Sequence, residues 1–257
     1  MKFAPVINAL ALPPDARVDQ RVPKKLLMEQ GTSTAIDKRQ IQDGVEEMLW
    51  VAALKPTNIG VPSFRDEVRE YLEVAVLTAT LRAAAKPTRF IELIHRAIPY
   101  PLVLIAAHGD TVSLSLAHKR WSQGETGKVV IEDVQRTAPF RLDALTAEEA
   151  AFLASLAVSS LPNRDLFSLY QGWLDRVAAL EAARITGVFT PPDSAGSGSA
   201  LRDGLDTHAR IRREIAVLRA QAEKEKQLNR RVELNLKIKR LEAELATVGR
   251  SLREEIP

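Results

Sequence analysis

The sequence predicts an α+β protein: a roughly four-stranded, mostly antiparallel sheet covered by helices over residues 1–189, a flexible linker at 190–200, and a long coiled-coil helix over 201–257. Three observations carry that prediction. Tyr71–Leu81 is apolar on both faces, as an interior strand is. Thr111–His118 alternates, with Val112, Leu114 and Leu116 inward and Thr111, Ser113 and Ser115 outward. The tail carries two apolar seams stepping by three and four residues.

Taken in order, a short helix at about Val6–Leu12 stops at Pro13-Pro14, and Ala16–Val22 is extended. A helix then starts at Pro23 and stops at Gly31. Thr34-Ala-Ile-Asp37 resembles a helix-starting box, and Ile41, Val45, Met48, Leu49 and Ala52 recur at helical spacing up to Pro56. After the Tyr71–Leu81 strand, Phe90, Leu93, Ile94 and Ala97 mark a helix closed by Pro99 and Pro101. Leu102–Ala107, Thr111–His118 and Lys128–Val134 read as an antiparallel meander joined by turns at His108-Gly109-Asp110 and Gly124/Gly127. Thr146-Ala-Glu-Glu149 is a capping box. Asp165 opens a longer amphipathic helix capped by Gly187. Thr190–Ser199 is rich in Gly, Ser and Pro, as flexible linkers are.

In the tail, Ile211, Ile215, Leu218 and Ala222 form one seam, and Ile238, Leu241, Leu245, Val248 and Leu252 the other. Between Ile215 and Ile238 lie 23 positions, not a multiple of seven, so no strict heptad joins them. With no Gly or Pro between Leu205 and Gly249, a continuous helix of roughly 80 Å is expected, its seam buried by a partner. Asn229 and Asn235 near the break are candidates for setting register.

The net charge is +3, and residues 201–257 hold 14 Lys/Arg against 10 Asp/Glu, so the basic character lies in the tail. Arg230, Arg231, Lys237, Lys239 and Arg240 are candidate contacts to nucleic acid or an acidic partner. Lys119, Arg120 and Trp121, just after His118, form a second candidate: cations beside a stacking ring suit phosphate or single strands.

Catalytic patterns are missing. The histidines His95, His108, His118 and His208 lack zinc-hydrolase spacing, and Ser113 and Ser115 lack a nucleophile elbow. Gln123–Lys128 departs from a phosphate loop in glycine spacing and reads as a hairpin turn. A metal-dependent nuclease would have to gather Glu73, Asp110, Glu132 and Asp133 around one ion, and these are scattered in the sequence. No catalytic residue, metal or cofactor is expected. Zero cysteines, no long apolar run and no signal-peptide core at Met1–Pro5 predict a cytoplasmic protein without membrane contact.

Five stretches together resemble a bacterial family known as domain of unknown function 4391. They are Arg21–Glu29, Glu46–Trp50 through Lys55-Pro56, Arg69–Ala75, Ser113–Trp121, and Lys226–Asn235. Members are typically encoded beside helicases and DNA methyltransferases of restriction-like or phage-defence clusters. The resemblance implies a non-enzymatic accessory subunit of such a complex. Its partners would be the helicase or methyltransferase, a second copy through the coil, or DNA. A DNA-processing nuclease and a stand-alone DNA-binding module are the rival expectations.

Overall fold

The computed structural model describes residues 2–30, 34–124 and 129–254. It divides into two units, residues 1–177 and 178–257. The first unit begins with α1 (Ala4–Ala9), β1 (Arg17–Arg21), α2 (Lys24–Gln30), α3 (Ala35–Gly44) and β2 (Val45–Leu54). It continues through α4 (Pro56–Ile59), β3 (Phe64–Arg65), β4 (Glu70–Tyr71), β5 (Val74–Leu81) and α5 (Pro87–Ala97). Then come β6 (Leu102–His108), β7 (Thr111–Leu116), β8 (Lys119–Trp121), β9 (Val129–Ile131), β10 (Gln135–Arg136) and α6 (Ala147–Ala154). The chain ends with α7 (Leu166–Thr186), within which the division falls, α8 (Ala195–Lys224) and α9 (Leu228–Glu254).

The main sheet has six strands in the order β1-β2-β5-β6-β7-β10, larger than the four expected. It is mostly antiparallel, but β5 and β6 run parallel, from Ala75 opposite Leu102 to Leu81 opposite His108. The parallel pair arises because α5 carries the chain back across the sheet before β6 begins. Of the expected meander, β6 and β7 pair antiparallel, but β9 leaves the main sheet and pairs with β8, and β10 takes its place beside β7. On one face, Leu77, Ala79, Leu102 and Leu104 pack with Phe90 and Ile94 of α5, Leu27 of α2 and Ile41 of α3. Val74, Val76, Val103 and Ile105 on the other face are buried too, so both faces are covered. Ser113 and Ser115 stand opposite Ala106 and Leu104 and are buried rather than solvated, because the covered face extends onto β7.

The helix expected from Thr34 to Pro56 is half helix and half strand. Thr34 caps α3 as the sequence indicates, its Oγ1 accepting the Asp37 amide at 3.1 Å. From Val45 the chain is strand β2, paired antiparallel with β5. Register shifts between Val45 and Glu47 and between Trp50 and Ala52 add residues to β2. The first bulge stretches the spacing of buried Val45 and Met48, opposite Leu81 and Ala79, to three residues; with Ala52 buried on the other face opposite Val76, the apolar spacing imitates a helix. At the joint, a Cβ on Gly44 would sit 2.2 Å from the Phe90 ring.

Residues 178–254 are helical over most of their length. Gly187, at φ +80°, ends α7 as expected. The stretch read as a linker holds the start of α8: Ser194 Oγ accepts the Ser197 amide and Ser197 Oγ accepts the Ser194 amide, both at 3.2 Å. The tail is not one continuous helix. It breaks at Glu225–Gln227, where Glu225 Oε1 accepts the Gln227 amide at 2.8 Å, and α9 folds back antiparallel on α8. Arg219 meets Glu242 at 2.6 Å and Lys237 meets Glu214 at 3.0 Å across the pair. The bend uses an acidic side chain as cap, so neither Gly nor Pro is needed.

Gly44→Ala is expected to destabilise by about 1–3 kcal/mol, the usual cost of overpacking. Urea denaturation measures this; an unchanged midpoint would mean that the Phe90 ring moves aside freely. A second expectation concerns acid. The Arg89 guanidinium, hydrogen-bonded to Asp37 at 2.8 Å, holds that carboxyl below the usual carboxylate range. A carboxyl lowered on folding stabilises above its unfolded pKa and loses that contribution as pH falls through its folded one. Asp37→Asn should therefore lower stability at pH 7, with the difference from wild type shrinking toward pH 3.

Candidate functional site

Of the residues singled out in the sequence, Lys119, Arg120 and Trp121 form strand β8, paired with β9, and line a surface pocket of about 280 Å³. Backbone pairing fixes their directions: the Trp121 amide donates to Val68 O at 2.8 Å, joining β8 to the loop between β3 and β4. That loop brings Arg69, β4 and the residue after it bring Glu70 and Leu72, and the segment after α5 brings Pro99, Tyr100 and Pro101 to the same pocket.

Lys119 is not a surface contact. It is 3% exposed, and its Nζ donates to the carbonyls of His95 and Ile98 at the end of α5, the second at 2.9 Å. Terminal carbonyls of a helix have no partner within the helix, and this ammonium supplies one. Burial pulls the Lys119 pKa down to about 7. His95, completely buried and bonded through Nε2 to Ser115 Oγ at 3.0 Å, is pushed well below its ordinary value by burial and by the Lys119 charge.

Arg120 is half-buried; its guanidinium makes a 3.4 Å contact to its neighbour's carbonyl at Trp121, and among the described residues no carboxylate pairs with it. It also lines an adjoining cleft of about 610 Å³ shared with Arg96, Arg136, Glu92, Glu132 and Asp133. Arg69 is held in place: it donates to Glu132 at 3.1 Å and lies 5.3 Å over the Phe167 ring.

Behind the pocket, sequence reasoning missed an aromatic cluster around His118. Phe167 stacks on His118 at 4.9 Å, and Tyr71 and Tyr170 meet it edge-on or tilted. Gln171 Nε2 donates to Asp175 at 2.8 Å, which turns Gln171 Oε1 toward His118 Nε2, also at 2.8 Å. Nε2 therefore donates, and Nδ1 accepts from the Tyr71 hydroxyl at 2.5 Å. Burial raises the Tyr71 phenol above its ordinary range, so it stays protonated as the donor. The cluster joins β4, the segment between β7 and β8, and α7. Only the proximity of Tyr71 and His118 in the folded chain identifies it.

The acids considered for a nuclease lie apart. Glu73 stands at the β5 start, ion-paired with Lys55 at 3.1 Å, while Asp110 lies beyond the opposite end of the sheet, after His108. Glu132 pairs with Arg69. Among the described residues no three His, Asp or Glu side chains are grouped to hold a metal ion. The hairpin turn expected at Gln123–Lys128 falls partly on 125–128, outside the described residues.

In the second unit, Ile211, Ile215, Leu218, Ala222 and Ile238 are buried together, with Leu241, Leu245 and Val248 packed against them. Leu252 is buried with Leu201 and Ala182, and α8 approaches so closely that a Cβ on Gly204 would lie 2.8 Å from Leu252. The nine seam residues thus meet within the chain. Arg230, Arg231, Lys239 and Arg240 make no ion pair among the described residues, whereas Lys237 is joined to Glu214. A feature unnoticed in the sequence lies on the outer side of α9: Leu228, Val232 and Leu236 are 64%, 48% and 54% exposed. At four-residue steps they form one stripe, opposite the seam.

The Lys119 environment gives a pH dependence. A lysine whose folded pKa is lowered penalises folding below that value, and the penalty disappears as pH rises from about 7 toward the unfolded 10.5. The two carbonyls accept from a neutral amine as well. Wild-type stability relative to Lys119→Met should rise between pH 7 and 10, measured by urea denaturation at each pH. A constant difference would show that the ammonium is stabilised by those carbonyls as much as by water.

The chain matches no curated protein and no solved structure. A family model described as "Domain of unknown function (DUF4391)" matches residues 10–245, which takes in the six-stranded sheet, the pocket and most of the helical hairpin. The chain belongs to this domain-of-unknown-function family.

Proposed function

We propose that this protein is a non-enzymatic accessory subunit of a bacterial DNA-targeting complex of the restriction-like or antiphage kind, engaging a helicase or methyltransferase of the same system. The observation that carries the reading is the outer face of α9. With the seams closed on each other, Leu228, Val232 and Leu236 remain in solvent, flanked by Arg231, Lys239 and Arg240. An apolar stripe within a cationic border suits an acidic protein surface with an apolar centre. The genomic setting implied by the family resemblance supplies the class of partner. That no described helix is long and apolar enough to cross a membrane is compatible with a cytoplasmic setting.

Co-purification with the neighbouring gene products tests the proposal. Leu228→Glu with Leu236→Glu should abolish capture of the partner while leaving the helical content unchanged. A wild-type protein that captures none of them would end it.

A second reading, direct DNA contact through the hairpin, is favoured by the cations of α9, of which Arg230, Arg231, Lys239 and Arg240 make no ion pair among the described residues. Changing Arg230, Arg231, Lys237 and Arg240 to Ala together should weaken duplex binding and flatten its salt dependence, each lost phosphate contact lowering the log–log slope by about 0.9. An unchanged slope would remove the hairpin from the DNA contact.

A further inference from the structure

We infer that the pocket between β8 and the segment after α5 is a binding site for one unpaired nucleotide, its base on the apolar wall and its phosphate on Arg120. Size comes first. At about 280 Å³ the pocket lies just below the range of small-molecule sites, roughly 300–1,000 Å³, and takes one flat molecule rather than a duplex.

The lining decides the chemistry. Leu72 and Tyr100 are left 55% and 41% exposed, and Trp121 is half-buried beside them. Side chains of this kind are normally covered, and a base offers a π-face that covers them whatever its identity. The charges around them are not equivalent. Lys119 is committed to the end of α5 and Arg69 to Glu132. Glu70, the carboxylate of the pocket, faces Arg65 at 3.3 Å. Arg120 alone of the lining cations has no acidic or helix-end partner among the described residues, and its planar guanidinium matches a phosphate.

Arg120 lines the adjoining cleft as well, so a phosphate held there would stand between the two spaces. Arg96 and Arg136 line that cleft, with Glu92 already paired to Arg96 at 2.5 Å. A backbone leaving the pocket past Arg120 would enter it. The same recognition chemistry serves a free nucleoside monophosphate or one residue of a single strand. The site is independent of the hairpin and of the accessory role.

The test uses the full chain, with labelled (dT)10, free dTMP and a blunt duplex as probes. Binding of (dT)10 is followed by anisotropy, and that of dTMP by quenching of tryptophan emission. Trp121→Ala should weaken (dT)10 about 5- to 100-fold, the usual effect of removing one stacking platform. Trp121→Phe should restore most of the affinity. Arg120→Ala, at a residue that anchors no element, should weaken binding and lower the salt slope by about 0.7. Quenching by dTMP that the Trp121→Ala variant loses identifies a free-nucleotide site; binding of (dT)10 without dTMP identifies a strand site. If neither probe binds, or if Arg120→Ala and Tyr100→Ala both bind like wild type, the assignment fails. Binding that survives these changes but is lost on changing Arg230, Arg231 and Arg240 would move the contact to the hairpin and overturn the pocket.

Discussion

The end of α5 is the point on which the first unit depends. A parallel pair such as β5–β6 requires a crossover, and a crossover helix that packs on the sheet ends inside the protein with carbonyls that water cannot reach. Lys119 answers this by donating to His95 O and Ile98 O. The same contact pins β8 beside the segment from Pro99 to Pro101, and the pocket is the space left between them. Burying an ammonium is costly, and the lowered pKa of Lys119 records that cost. Structure and candidate site therefore share a side chain. Lys119 shapes the pocket, and its neighbours Arg120 and Trp121 line it with Lys119 itself.

In the second unit the governing event is closure of the seam. Two short apolar runs that cannot share a heptad register need not do so once they lie antiparallel against each other. Ion pairs such as Arg219–Glu242 are exposed and contribute little to stability, about 0–1 kcal/mol each, but they agree with one alignment of the helices. Closure also turns the question of partners around. The seam that suggested an external coil is used internally, and the surface left over is the opposite side of α9, where apolar and cationic side chains alternate.

Local chemistry was legible where it is decided locally. The caps at Thr34 and Thr146, the stop at Gly187, the strand ending at Leu81 and the helix around Phe90 all follow from side chains within a few residues of each other. The strand β2 was not legible, since its bulges are set by pairing with β5 and disguise its period. Nor was the bend at Glu225, where an ordinary charged residue caps a helix that the seam has already turned back. Ser113 and Ser115 alternate like a solvated face, and only the extension of the covered face onto β7 buries them.

The sequence by itself determined the α+β class, the basic tail, the two seams and the clustering of cations with an aromatic ring at 119–121, because composition and spacing are properties of the chain alone. Tertiary structure decided which of those residues are held by other parts of the chain. Lys119 and Arg120 are adjacent and alike in the sequence, yet alternation along β8 sends the Lys119 ammonium to the buried end of α5 and leaves the Arg120 guanidinium half-buried between the pocket and the adjoining cleft. The same holds in the tail, where folding back consumes Ile215 and Ile238 and leaves Val232 and Leu236 exposed. Which face of an element is used depends on what packs against it, and that information lies in other parts of the chain.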